Sequence, residues 1–322
     1  MKRRSRNIRV EKASQSAYTY VMNTRNIFYL LVLAALWGPS FLFMRVAVVD
    51  IPPLTIVLGR VGIGALLVLV ALRQRGGHLP RSRTIWLHLA FLGFMQNALP
   101  FLLFAWGEQY IESALASILN GTTPIFTILL AHFLVEADRL TGAKIVGVLL
   151  GFAGLALLIA PALVGGLQAT TWGMLALVAA SICYAIAIVY ARNHARGLPP
   201  LVGPAGQLLM ATIYMLPLAV FIDKPWRLAI PATLSMLSVV ALGVFGTGLA
   251  FIIYYRFMET AEPSIVSMVT YVVPVFGVIL GVLVLGEQLT WNALAGFGLI
   301  LLGVMIVNGL FANSAAARRI NV

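Results

Sequence analysis

Apolar residues run along this chain in long blocks separated by short polar interruptions. Crossing about 30 Å of hydrocarbon takes about 20 mostly apolar residues, because a helix rises 1.5 Å per residue and makes its backbone hydrogen bonds internally. Ten blocks meet that requirement, at roughly 27–48, 54–72, 85–107, 112–135, 142–160, 172–191, 203–222, 233–256, 263–285 and 290–311. The pattern predicts an all-α integral membrane protein of about ten transmembrane helices.

Composition narrows the class. Of the 322 residues 61% are hydrophobic and 10% charged, and the mean hydropathy is +0.97, which excludes a soluble domain. The surplus of 22 Lys and Arg over 10 Asp and Glu would suggest nucleic acid in a soluble protein. Here the first basic run, Lys2, Arg3, Arg4, Arg6 and Arg9, stands before an apolar block and reads as a topology signal. With the N-terminus cytoplasmic, that side also receives Arg73, Arg75, Arg81, Arg83, Arg139, Lys144, Arg192, Arg196, Arg256, Arg318 and Arg319. The other side receives Lys224 and Arg227 in its loops, with Arg45 and Arg60 near the outer helix ends, so both termini are expected inside a cytoplasmic (inner) membrane. Asp50, Glu108, Glu112 and Glu287 fall on the outer side, where they could pair with Arg45 or Arg60. Residues 1–26 read as a disordered basic tail and 312–322 as a second cytoplasmic tail. A single cysteine, Cys183, excludes an internal disulfide framework and a cysteine metal cluster.

The chain repeats itself at an offset of about 150 residues. Pro124-Ile125-Phe126 matches Pro274-Val275-Phe276, and Leu140-Thr141 matches Leu289-Thr290 after a one-residue length difference. Gly147 and Gly154 match Gly296 and Gly303. Gly93, Leu99 and Phe101 match Gly243, Leu249 and Phe251, and Trp37 and Arg45 fall opposite Tyr184 and Arg192. Residues 27–160 and 172–311 therefore form two halves of five spans each, and an odd number of spans makes the repeats inverted.

With Leu36-Trp37-Gly38, Pro53 followed by Arg60, the two prolines Pro124 and Pro274, and the turn Gly286-Glu287-Gln288-Leu289-Thr290 ahead of Gly296 and Gly303, the chain resembles the EamA-type family of the drug/metabolite transporter superfamily. The resemblance runs from about Ile27 to Phe311 and implies a secondary transporter, with export of amino acids or related metabolites as its leading role. Arg60 occupies a recurring family position, which implies an anchor to the lipid interface or to Glu108 rather than a clamp on substrate.

The central portions of the spans contain no Asp or Glu, which disfavours an antiporter built on a midplane carboxylate. His88 and His132 could titrate or could simply bridge helices. Polar residues do gather at mid-depth: Trp37 and Ser40, Gln96 and Asn97, Asn120, Thr122 and Thr123, Tyr184, Thr247, Thr270 and Tyr271. Each must be satisfied by a neighbouring helix, by water or by a ligand. Proline frees backbone carbonyls, so Pro124 behind Asn120–Thr123 and Pro274 behind Thr270 and Tyr271 point to a site between the halves, with Pro39 and Pro100 as further bends. Trp37, Tyr184 and Tyr271 on a common cavity would suit an amphiphilic small molecule such as an amino acid or amine. Nucleotides or sugar phosphates would need several deep Arg or Lys residues, which the spans lack.

The glycine ridge Gly147, Gly151 and Gly154, partly repeated by Gly296 and Gly303, fits either internal packing or a homodimer face. No cofactor is implied, and no phosphate-binding loop supports direct ATP drive. An enzyme would need a nucleophile with its base, a carboxylate pair or a metal cluster, and no such set occurs among His78, His88, His132 and His194. A sensor would need a readout domain. The remaining contest is between a facilitator and a proton-coupled antiporter.

Overall fold

The structure is a computed structural model and describes residues 24–135, 140–164, 166, 168–195, 197–261 and 263–308. Residues 1–23 of the first tail, the second tail, Arg139, Arg196 and most of the turn after Val135 lie outside the described residues, while residues 24–26, expected in the tail, begin α1. Among the described residues nine helices are long and apolar enough to span a membrane: α1 (Thr24–Ala47), α2 (Pro53–Gln74), α3 (Arg83–Gly107), α4 (Ser113–Leu134), α5 (Gly142–Val164), α6 (Ala169–His194), α7 (Val202–Arg227), α8 (Thr233–Thr260) and α9 (Ile265–Leu285). A tenth apolar helix, α10 (Trp291–Val307), completes the series among the described residues. Leucines such as Leu66, Leu149, Leu237 and Leu283 are exposed on the outer faces, as lipid contact requires.

Helix contacts are shared between the halves in matching pairs. α2 packs on α7, α4 on α9 and α5 on α10. α1 packs on α8 and α9, and α6 correspondingly packs on α3 and α4. α3 lies against α7 as α8 lies against α2. Every relation survives exchange of one half for the other, so this is a two-fold arrangement in which each half completes the other's core.

Small residues set the closest approaches. A Cβ on Gly147 would lie 2.6 Å from the Gly303 carbonyl oxygen, and one on Gly154 2.6 Å from that of Gly296. The pairs run in opposite sequence order, so α5 and α10 are antiparallel with backbones nearly touching. The ridge is consumed by internal packing and does not supply a dimer face. Gly38 plays the same role between α1 and α9, since a Cβ there would sit 2.6 Å from the Phe276 Cβ.

Several helices are interrupted. α1 turns at Gly38 and resumes at Pro39, and α4 turns at Gly121 and Thr122 and resumes at Thr123 and Pro124. A proline without its N–H fits the first turn of a new segment. α3 widens to a π-helix over Gly93–Ala98, just before Pro100, and α8 does so over Val244–Leu249, the equivalent place in the second half. Pro274 departs from expectation. The helix is continuous through it from Val269 to Leu285, and the interruption in α9 falls earlier, at Met268. The Pro274 carbonyl accepts a hydrogen bond from the Ser117 hydroxyl of α4 at 2.9 Å, and the Gly121 turn rests on the Pro274 ring.

Acidic side chains at one end of the bundle hold the halves together. Asp223, in the last turns of α7, accepts from the Thr55 N–H and hydroxyl at the start of α2, both at 2.8 Å. Asp50, after α1, accepts from the Ser235 hydroxyl of α8 at 2.6 Å and from the Ala232 N–H at 3.2 Å. Glu287, after α9, accepts from the Ser113 N–H and hydroxyl and the Ala114 N–H at the start of α4, each at 2.8 Å. Each carboxylate satisfies orphan donors at a helix N-terminus of the other half. Asp50 and Glu287 thus cap helices, where the sequence suggested pairing with Arg45 or Arg60.

Candidate functional site

Where α1, α2, α3, α6 and α8 converge, polar groups lie buried. Arg60 of α2 is 7% exposed. Its Nε donates to the Thr247 hydroxyl at 3.0 Å, and its guanidinium carbon stands 3.7 Å from the centre of the Phe101 ring. Thr247 passes the bond on to the Leu242 carbonyl at 2.9 Å, five residues back, which fits the widened π register of α8. Of the two anchors expected for Arg60, the lipid interface is thereby corrected: the side chain is held inside the bundle by a hydrogen bond and an aromatic face, while Glu108 acts on it by charge.

Ser40 of α1 faces the same place. Its Oγ lies 2.5 Å from where a Cβ on Gly246 would stand, and the Arg60 Nη2 lies 3.9 Å from that point. Asn97, one turn before Phe101 on α3, is wholly buried. Neither the Ser40 hydroxyl nor either end of the Asn97 amide has a hydrogen-bond partner. Buried polar groups left unpaired cost about 1–3 kcal/mol each, so such a cluster is a place where a ligand gains by binding.

Aromatic side chains wall the cluster. Trp37 meets Phe251 edge-on at 6.5 Å and Tyr254 at 5.3 Å. Tyr184 of α6 stacks with Phe104 at 6.2 Å and borders the two apolar cores found among the described residues. Trp37, Ser40, Asn97, Tyr184 and Thr247 therefore belong to one neighbourhood between the halves, and the sequence reading missed Arg60 and Phe101 as its centre. Gln96 is half-buried beside Asn97.

The remaining candidates lie elsewhere. Thr123 donates to the Asn120 carbonyl at 2.8 Å and Thr122 to that of Leu119 at 2.6 Å, so these hydroxyls repair the α4 interruption locally. Thr270 is exposed and donates to the Ser267 carbonyl at 2.7 Å, which removes it from the cluster. The Tyr271 hydroxyl donates to the Val304 carbonyl of α10 at 3.3 Å and accepts from Asn308, so it serves α10 rather than a cavity shared with Trp37 and Tyr184. His88 joins α3 to α6 through the Tyr190 hydroxyl at 2.7 Å, and His132 accepts from the Leu140 N–H at 3.3 Å. Among the described residues no group of three His, Cys, Asp or Glu side chains could hold a metal ion.

Two open crevices, of about 430 and 480 Å³, lie at the periphery. One is beside Thr55, Pro225 and Met236, and the other beside Phe91, Phe94 and Tyr214. Neither includes a cluster residue, and burial of Arg60, Ser40, Asn97 and Thr247 means that the cluster is occluded in this conformation.

Known proteins give the arrangement its context. An uncharacterized transporter of Archaeoglobus fulgidus is 26% identical over 276 residues, covering 84% of this chain and 94% of that protein. The uncharacterized transporter YoaV of Bacillus subtilis is 27% identical over 84% of this chain and 92% of its own length. The uncharacterized inner membrane transporter YedA of Escherichia coli is 27% identical over 86% and 89%. A crystal structure of a protein 22% identical superimposes with a TM-score of 0.64 over 93% of this chain and all of that one, a likeness of fold. The EamA-like transporter family matches residues 24–160 and again 171–309, one copy on each half. With two such copies spanning most of its length, the chain belongs to the EamA-like transporter family and is a multi-pass membrane transporter.

Proposed function

We propose that the chain carries small amphiphilic metabolites bearing a carboxylate, amino acids foremost, by alternating access at the Arg60 cluster. The observation that supports this reading is the pairing of a buried guanidinium with unpartnered polar atoms, Ser40 Oγ and the Asn97 amide, inside aromatic walls. A guanidinium recognises a planar carboxylate through its fork of donors, Asn97 and Ser40 offer further polar contacts, and Trp37 and Tyr184 cover an apolar body. One cation suits one anionic group, which separates this cargo from polyphosphates. Movement follows from rocking the interlocked halves, the secondary transport that inverted repeats permit. By the Lys and Arg distribution the protein sits in a cytoplasmic membrane with both termini inside.

Proteoliposomes test the cargo. Labelled L-leucine should be carried and its amide, which lacks the carboxylate, should not. Arg60→Lys should reduce leucine flux at least about tenfold, because the ammonium keeps the charge and loses the fork. Absence of flux across a panel of labelled amino acids would sink the reading, and equal flux of acid and amide would remove Arg60 as the anchor.

A further inference from the structure

One face of α3 runs from the cluster to the end of the bundle. Asn97, Phe101, Phe104 and Glu108 recur at intervals of four, three and four residues and stack along one side. Phe101 lies under Arg60 and Phe104 beside Tyr184. At 1.5 Å per residue Glu108 stands roughly 10 Å along the axis from Phe101, in the turn that follows α3. It is wholly buried, and neither of its carboxyl oxygens has a hydrogen-bond partner.

Its surroundings make it unlike Asp50, Asp223 and Glu287, whose carboxylates are satisfied by helix N-termini. Arg45 of α1 donates to the Glu108 main-chain carbonyl and makes no hydrogen bond to the carboxyl. Arg60 of α2 acts on it from the cluster, Glu287 from the end of α9, and Glu112 lies between it and α4. α6 meets this end of α3 with Gly173 and Leu177 against Gly107, and its titratable Tyr184 faces Phe104 one turn away. Burial pushes the Glu108 carboxyl well above the usual carboxylate range, and Glu287 adds to the rise, while Arg45 and Arg60 pull partly back. An ionised carboxylate here would be a buried charge that Arg45 and Arg60 offset only in part, and a proton removes it.

We propose that Glu108 is a proton-binding site of the transport cycle, linked through Arg60 to occupancy of the cluster. The proposal rests on the reading of that cluster as the transport site. In the closed molecule the protonated carboxyl leaves the Arg60 charge to the anionic group of the cargo. When this end of the bundle opens, water reaches Glu108, the proton passes to that water, and the new carboxylate competes for Arg60 and loosens the cargo. Proton and cargo anion thus leave together.

Infrared spectroscopy of the purified full chain without cargo, titrated from about pH 5 to about pH 9, reads the proton directly. A carbonyl band of a protonated glutamic acid, displaced by ¹³C-glutamate labelling, should persist well above the ordinary glutamate value of about 4.3 and should vanish in Glu108→Gln. Because the fold favours the protonated form, the melting temperature should be highest at low pH. It should fall as pH rises through the raised pKa, and the fall should disappear in Glu108→Gln. If that variant does not fold, the labelled wild-type band and its move to higher pH in Arg45→Gln carry the test. No glutamic acid band above pH 6, a band unchanged in Glu108→Gln, or an unmoved band in Arg45→Gln would each overturn the proposal. Since no cargo is present, failure of leucine flux alone would defeat the carboxylate reading and leave the proton site standing.

Discussion

At Asn97 both ends of a side-chain amide are buried without a partner, an arrangement that costs stability unless something binds there. Asn97→Leu, with the same branching at Cγ and no polar atoms, should raise the stability of the cargo-free protein by about 1–2 kcal/mol and reduce transport. Thermal melting in detergent beside flux in proteoliposomes checks both halves of that expectation, and a destabilised variant would refute it. Residue by residue, the sequence named five members of the cluster and missed Arg60 and Phe101. Trp37, Ser40, Asn97, Tyr184 and Thr247 announce themselves as polar or aromatic groups at mid-depth in apolar spans. Arg60 does not, because depth along a helix says nothing about which side of it faces protein. Seven residues into α2, a long basic side chain can reach the interface or turn inward, and the Thr247 hydroxyl and the Phe101 ring decide the matter. Thr270 and Tyr271 show the same gap in reverse, since their spacing fitted the repeat while Thr270 is exposed and the Tyr271 hydroxyl is engaged by α10.

Helix ends and helix count were legible because hydrocarbon thickness dictates them, and the glycine ridge was legible as a close contact of unknown partner. Its partner is now fixed. Gly303→Ala would place a Cβ 2.5 Å from the Gly147 carbonyl oxygen and should destabilise by about 1–3 kcal/mol through overpacking. Gly298→Ala, on the same helix and with no atom within 4 Å of its added Cβ, should be neutral or slightly stabilising through helix propensity. Chemical or thermal unfolding of the two variants side by side checks the contrast. The π segments of α3 and α8 were hidden from the sequence. Gly93 and Gly243 matched as a repeated pair, but nothing in a list of residues distinguishes a hydrogen bond made five residues back from one made four back. Pro274 shows the complementary failure, since a membrane helix with a well-fitted neighbour can run straight through a proline that would end a soluble one.

At the scale of the molecule, three carboxylates at one end tie the halves, and alternating access requires that end to part. Cysteines at Asp50 and Ser235, whose side chains meet at 2.6 Å, should therefore trap the closed state when joined. Cys183 is buried and can be replaced by Ala to give a clean background. A membrane-impermeant crosslinker applied to intact cells should link the pair and abolish flux. Reaction only in broken cells would reverse the proposed orientation, and full flux after complete crosslinking would refute rocking at this face. The two-fold plan itself was readable from collinear matches, although the exchange of partners was not, because similarity between halves does not say whether each packs on itself. That exchange has a consequence for how the protein is made. When α5 enters the bilayer its glycine ridge faces a helix about 150 residues downstream. At about 5–20 residues per second, translation leaves that groove uncovered for roughly 10–30 s. A chain stalled in that interval is a half-molecule with the α2, α4 and α5 seams bare, the form most open to membrane proteases and to pairing with the wrong helix.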